Sequence, residues 1–416
     1  MKKIYTSIDI GSDTIRVLTG EYYQDKLRVL AVSSVKSRGV KNGLIVDPEL
    51  VTERLKLALD DIQKRIGVPI EKAMIILPAI DAEYSLVHGN IPIVNEESMV
   101  LEKDIVRLQN QALKDISPSM ELVSLIPIDF TIYDNGSEIE TISDPKNKIC
   151  DRLGLRAMLV TVPKVNVISF VKVVEDSGVS VVDLDLAPIA DFEEAKLPEM
   201  MDGIVGVINI GKDITTVSTF NKGIVTNSSI IKYGSRIIDE DISYVYYTTR
   251  KEAKKIKENF GIAHPRYSSK TEKYETHDVN DKLVSINQSE LSEMINKRLV
   301  EILNSAKNEL KVLTNKQISY IMVLGGITDM PAMGFTLTDV FGPVAKVHTI
   351  NTLGIRKSRF ATVSGGIKHF VLKIKLRGKE YSMFSSDDVD DLIHNKTRIG
   401  RSNSAVGRFI SYFFDN

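Results

Sequence analysis

Residues 7–20 read Ser7-Ile8-Asp9-Ile10-Gly11-Ser12-Asp13-Thr14-Ile15-Arg16-Val17-Leu18-Thr19-Gly20, and residues 207–220 read Val207-Ile208-Asn209-Ile210-Gly211-Lys212-Asp213-Ile214-Thr215-Thr216-Val217-Ser218-Thr219-Phe220. Ile8, Ile10, Gly11, Asp13, Val17 and Thr19 recur without a gap as Ile208, Ile210, Gly211, Asp213, Val217 and Thr219. An internal repeat is a stronger guide to architecture than any single motif. In each copy alternating apolar residues lead to a glycine, a few small polar residues and a second β-rich run, which spells strand, tight turn, strand. A third strand follows in each, after Gln24-Asp25-Lys26 and after Asn221-Lys222-Gly223. Two such meanders predict two related domains facing each other.

A glycine in such a turn lets backbone N–H groups converge on phosphate oxygens. Ser12 and Thr14 add hydroxyls beside it, and Asp9, just before Gly11, has the chemistry to hold a magnesium ion through its waters. Taken singly, either glycine is as compatible with a plain hairpin turn as with phosphate binding. A third glycine pair shifts the balance. The buried-strand pattern Ile318-Ser319-Tyr320-Ile321-Met322-Val323-Leu324 ends at Gly325-Gly326, and Thr328, Asp329 and Pro331 then carry a helix-start signature. Glycines between a strand end and a helix leave bare backbone for a flat ligand, or allow close strand–helix packing.

Together the three segments resemble the phosphate-1, phosphate-2 and adenosine motifs of the actin, heat-shock chaperone and sugar-kinase superfamily. Within it the chain is similar to the FtsA family. Gly39-Val40-Lys41-Asn42-Gly43-Leu44-Ile45 matches a hairpin of that family, an insertion begins after Ala79-Ile80, and Ile126-Pro127-Ile128-Asp129-Phe130 matches a strand inside it. The resemblance runs to about Leu376. It implies an α/β actin-like ATPase fold, with two duplicated domains around a nucleotide cleft and an FtsA-type inserted subdomain 1C. The implied division is subdomain 1A at 1–82, 163–195 and 353–382, 1C at 83–162, 2A at 196–226 and 300–352, 2B at 227–299, a linker at 383–403 and a terminal helix at 404–416.

By position the resemblance implies ATP and Mg²⁺ as ligands, with Asp9 at the metal. Gly11, Ser12, Asp13 and Thr14 would form one phosphate turn and Gly211, Lys212 and Asp213 the other. Gly234, Ser235 and Lys257 would lie near the nucleotide, and Gly325, Gly326 and Ile327 against the adenosine. Four residues depart from the family pattern: Asn209 replaces an acid, Lys212 follows a lone glycine, Lys254 stands where Glu is usual, and Asp13 adds negative charge among the phosphates. Losing a metal-ordering carboxylate weakens activation of the attacking water. The resemblance therefore implies an ATP binder with at most weak ATPase activity. Its implied role is a self-polymerising, head-to-tail scaffold that tethers FtsZ filaments, through subdomain 2B, to the inner face of the cell membrane at the division site. The alternatives are an actin-fold small-molecule kinase, for which Asp183 or Asp185 are the only obvious bases, and a pilus-assembly adaptor of the same fold.

Bulk properties narrow the classes. The 416 residues carry 54 Lys and Arg against 55 Asp and Glu, so no global field favours nucleic acid. Cys150 is the single cysteine, which fits a reducing compartment. The start of the chain lacks a signal-peptide run, and no uncharged apolar stretch is long enough to span a bilayer. These features predict a cytoplasmic protein. Leu291–Leu313 carries a helical apolar stripe with Ser289 as N-cap, and 264–281 reads as an exposed polar loop. In the tail, Val406, Phe409, Ile410 and Phe413 share one side of a predicted helix preceded by Lys396, Arg398 and Arg401, the pattern an anionic membrane surface binds.

Overall fold

A computed structural model describes residues 3–113, 116–350, 352–376 and 381–385. The chain opens with β1 (Lys3–Ile10), β2 (Thr14–Tyr23) and β3 (Lys26–Lys36), then a short hairpin of β4 (Val40–Lys41) and β5 (Leu44–Ile45). Helix α1 (Pro48–Ile66) and β6 (Lys72–Leu77) follow. Asp47 caps α1 by accepting from the Leu50 N–H, Pro48 opens it, and Gly67 closes it at φ 80°. The next segment holds β7 (Glu83–Pro92), α2 (Glu102–Ala112), β8 (Met120–Asp134), β9 (Ser137–Ile142) and β10 (Arg152–Pro163). The chain then returns through α3 (Lys164–Glu175), β11 (Ser180–Leu186) and α4 (Ala187–Ala195).

The second half repeats the plan with β12 (Ile204–Ile210), β13 (Thr215–Asn221) and β14 (Ile224–Ile231). Helices α5 (Arg236–Val245) and α6 (Arg250–Phe260), a hairpin of β15 (Lys273–His277) and β16 (Leu283–Asn287), and α7 (Gln288–Leu313) come next. Strand β17 (Ile318–Leu324), α8 (Met333–Phe341), β18 (Ala345–Val347) and α9 (Ala361–Leu376) complete the described fold.

The two main sheets share one topology. Their orders are β3-β2-β1-β6-β11 and β14-β13-β12-β17-β18, each an antiparallel meander joined to two parallel strands. The register repeats as well. Ile8 faces Val17 and Ile10 faces Ile15, just as Ile208 faces Val217 and Ile210 faces Thr215. Each turn closes with the same bond: Gly11 N–H donates to the Thr14 carbonyl at 3.1 Å, and Gly211 N–H to the Ile214 carbonyl at 3.0 Å. Strands β6, β12 and β17 are almost continuously apolar, as parallel strands covered on both faces must be.

The insertion has its own four-stranded sheet, β7-β10-β8-β9, and its own core around Phe130, Leu153 and Leu108. Its base stays attached to the body, because Val123, Val160 and Val162 join the main core. That core also takes Val205, Val207, Met322 and Leu324 from the second half, so the two halves meet over a continuous apolar floor. Above this floor α4 crosses α9 so closely that a Cβ on Gly365 would collide with the Ala190 carbonyl.

Several local expectations need correction. The stretch 264–281 is not a plain loop, since it holds a 3-10 turn at Pro265–Tyr267 and strand β15. That strand alternates exposed charge with half-buried Tyr274 and Thr276, so the hydrophobic signal is faint. Helix α7 is capped by Asn287, whose side chain accepts from Ser289 and Glu290 N–H groups, not by Ser289. The helix-start signature after Gly326 makes a 3-10 turn, Gly326–Asp329, and α8 begins only at Met333. Met383 and Phe384, assigned to the linker, are buried in the main core, where Met383 N–H donates to the Ile4 carbonyl at 3.0 Å. The rest of the linker and the terminal helix lie outside the described residues. Among the described residues no helix is long and apolar enough to cross a membrane.

Candidate functional site

The two glycine turns face each other across a cleft between the domains, and the β17–α8 glycines close its far wall. The cleft has a narrow part of about 140 Å³ and a wider, adjoining part of about 380 Å³. The wider part lies within the roughly 300–1,000 Å³ of small-molecule sites. Asp9, Gly11, Ser12, Asp13, Thr14, Gly211, Lys212, Asp213, Gly325 and Gly326 line the narrow part. Ser235, Lys257 and Ile327 line the wider part, with Asp13, Gly211, Lys212 and Gly326 shared. Gly234 lines neither. It lets the chain pass against the second turn, where a Cβ would strike the Gly211 and Lys212 carbonyls. The next two N–H groups, of Ser235 and Arg236, donate to those same carbonyls at 2.9 and 3.0 Å. Gly325 sits at φ 108°, where a Cβ would strike the Ile210 carbonyl, a position only glycine fills without strain.

The fit to a polyphosphate can be tested on the donors. The N–H groups of Ser12, Asp13, Lys212 and Asp213 have no hydrogen-bond partner among the described residues. Thr14 Oγ1 and Ser358 Oγ are buried at the cleft and equally unpartnered, as are Arg16 Nε and Arg359 Nε. Buried polar groups are seldom left in this state. Six cations, Arg16, Lys212, Lys254, Lys257, Lys357 and Arg359, line the cleft beside six carboxylates. The donor set therefore suits an anion that brings its own metal ion. Among the described residues no cluster of three or more His, Cys, Asp or Glu could bind a cation unaided. A single carboxylate plus ligand phosphates is a usual arrangement for Mg²⁺.

The charges inside are mostly committed. Arg16 pairs with Asp9 at 2.9 Å across the β1–β2 ladder, while burial pushes the Asp9 carboxyl above its ordinary range. Asp13 accepts from Lys254 Nζ with both oxygens at 2.7 Å and lies 3.8 Å from Lys212 Nζ. Burial raises its pKa, but the Lys254 hydrogen bond and charge, helped by Lys212 and Arg16, outweigh this and hold it low. Asp213 accepts from the Asn42 N–H across the cleft and forms an ion pair with Arg236, each at 3.1 Å. Lys257 is buried and bound to Asp239 at 2.6 Å.

Asp191 on α4 was not visible as a site residue in the sequence. It lies under the cleft, accepting from Asn209 Nδ2 and Thr362 Oγ1, each at 2.6 Å. Burial pushes its pKa up to about 7, with the Asp9 charge adding to the rise. Asn209 thus spends its amide on Asp191. Arg16, Lys357, Ser358, Arg359 and Thr362 were missed too; position within a strand or near α9 gives them no local signature. Arg298, which matches a family arginine, instead pairs with Asp241 and Glu301 and lines neither part of the cleft. Asp183 and Asp185 also lie outside the cleft, buried against α9, where Asp183 meets Lys373 and Asp185 meets His369.

Comparison with solved structures defines the class. The fold resembles the type IV pilus biogenesis complex PilM–PilN (TM-score 0.57, 14% identity, 87% of this chain and 96% of that one). It also resembles MreB5 of Spiroplasma citri, solved with ADP (TM-score 0.55, 13% identity, 91% and 99%). The protein has an actin-like ATPase fold. In sequence, the family model described as Cell division protein FtsA matches residues 206–365. Cell division protein FtsA of Streptococcus pneumoniae is 30% identical over 362 residues, covering 86% of this chain and 78% of that protein. The Bacillus subtilis counterpart is 28% identical over 381 residues, covering 91% and 86%. The chain belongs to the FtsA family of actin-like cell-division proteins.

Proposed function

We propose that this chain is an ATP-binding, self-polymerising scaffold that tethers FtsZ filaments to the cytoplasmic membrane at the division site. The observation that carries ATP binding is the pair of register-matched turns with unpartnered N–H groups and the orphaned hydroxyls of Thr14 and Ser358. Phosphates would lie between the turns, receiving these donors together with Arg16 and Lys212. The base and ribose would occupy the wider part, against Gly325, Gly326 and Ile327, with Ser235 and Lys257 opposite. Asp9 would hold a hydrated Mg²⁺ beside the phosphates. Bound nucleotide supplies charge that spans both halves and favours the closed form by mass action. A fixed closed form presents constant surfaces for head-to-tail contacts, which extend into filaments because they do not close on themselves.

Turnover is slow in this reading, because Asn209 is engaged with Asp191 and leaves no carboxylate at its position to orient a water. The kinase alternative loses support, since its candidate bases are locked against α9. Membrane attachment rests on Val406, Phe409, Ile410 and Phe413, and FtsZ recognition on the 2B surface around 227–299.

The test is co-sedimentation of the full chain with anionic liposomes and FtsZ, with and without Mg·ATP. FtsZ should pellet with lipid only when this protein is present, and phosphate release should stay below about one per second. Failure to bind ATP, or no recruitment of FtsZ to lipid, refutes the corresponding part.

A further inference from the structure

Three of the four residues that depart from the family pattern, Asp13, Lys212 and Lys254, meet in space. Asp13 belongs to the first half, and both lysines to the second. Its repeat partner, Asp213, is 3% exposed at the side chain and bound by Arg236 and a backbone N–H. Asp13, by contrast, is 25% exposed, lines both parts of the cleft, and is bound by groups that an entering anion would also seek.

From this geometry we propose that Asp13 is an internal counter-anion, latching the two halves together through Lys254 and Lys212 and yielding these lysines to the phosphate chain of the ligand. The inference rests on ATP as the ligand. Two lysines cannot neutralise both a carboxylate and a polyphosphate in the same small volume, because the two anions repel. Binding therefore exchanges one cross-cleft bridge for another: the Asp13 contacts break as phosphate contacts form. Lys254 has Glu258 at 3.8 Å on its own helix, so its charge is partly steadied when Asp13 lets go. The exchange makes the site selective. An uncharged nucleoside leaves the latch in place, whereas a triphosphate carries enough charge to displace it. It also lets the two halves stay together without ligand, through a contact weak enough to release, as partly exposed pairs are.

The experiment uses the full chain with Asp13→Asn and, separately, Lys254→Met. Spin labels at exposed Lys41 and Lys255 report the opening of the ligand-free cleft, the native Cys150 being buried. Calorimetry reports affinity for Mg·ATP and for adenosine. Both variants should lengthen the label distance. Their effects on ATP should have opposite signs: about tenfold tighter for Asp13→Asn and about tenfold weaker for Lys254→Met, whereas adenosine, which carries no phosphate, should respond alike in both. An unchanged label distance in both variants, or ATP affinities that move together, overturns the latch. If the unaltered chain binds neither ATP nor adenosine, the ATP reading falls, and the label distances alone decide whether a latch exists.

Discussion

Asp191 makes the stability of this protein depend on pH in a direction opposite to that of an ordinary ion-paired carboxylate. Its pKa rises from an ordinary 3.8 to about 7 because it is 1% exposed and its donors among the described residues, Asn209 and Thr362, are both neutral. A carboxyl whose folded pKa exceeds its unfolded one binds its proton more tightly in the native state. Its contribution is complete below about 3.8 and is lost as pH climbs through about 7. At about 1.36 kcal/mol per pKa unit, the linkage integral gives a loss of roughly 2.5 kcal/mol between pH 5 and pH 8. Asp191→Asn removes the titration while keeping size and shape. The assay is urea unfolding of both proteins at half-unit steps from pH 5 to 8, with stabilities taken from midpoint and slope. The difference between variant and parent should move in favour of the variant by roughly 2.5 kcal/mol across that window. Parallel curves for the two proteins would refute the reasoning, because they would mean that Asp191 does not change its protonation between pH 5 and pH 8.

Gly365→Ala should lower stability by about 1–3 kcal/mol, read as a fall in thermal midpoint, because its methyl would meet the Ala190 carbonyl where α4 crosses α9. Gly325→Ala places a side chain at φ 108° against the Ile210 carbonyl; strain of about 1–3 kcal/mol and weaker adenosine binding by calorimetry should accompany it. Phe384→Ala should cost about 3–5 kcal/mol in urea unfolding if this residue belongs to the core, and almost nothing if it belongs to a linker.

The parts of this molecule legible in its sequence are those with a local cause. The paired turns show because a glycine, a fixed spacing and alternating apolar residues all act within fourteen positions. Strand β17 shows because its last four residues, Ile321 to Leu324, are all buried and all apolar. Asp191 and Asn209 do not show, because an acid on a helix and an amide on a strand look ordinary until folding brings them to 2.6 Å. The same holds for Asp13 and Lys254, 241 positions apart, each of which reads alone as a blemish in a motif. Strand β15 was hidden by its charges, and the burial of Met383 and Phe384 by the polar residues around them.

The docking of those last two residues bears on how the chain carries load. Tyr381 accepts from the Tyr5 hydroxyl, Met383 bonds to Ile4, and the Thr6 N–H lies 3.1 Å from the Met383 sulfur. Residues 381–383 are therefore fastened to β1, the strand that ends at Ile10 and runs straight into the Gly11 turn. A pull arriving at Phe384 would meet β1 first, and the far end of its eight residues, Asp9 and Ile10, lines the cleft. Force on that end of the described chain and a ligand held in the cleft would then act on the same strand.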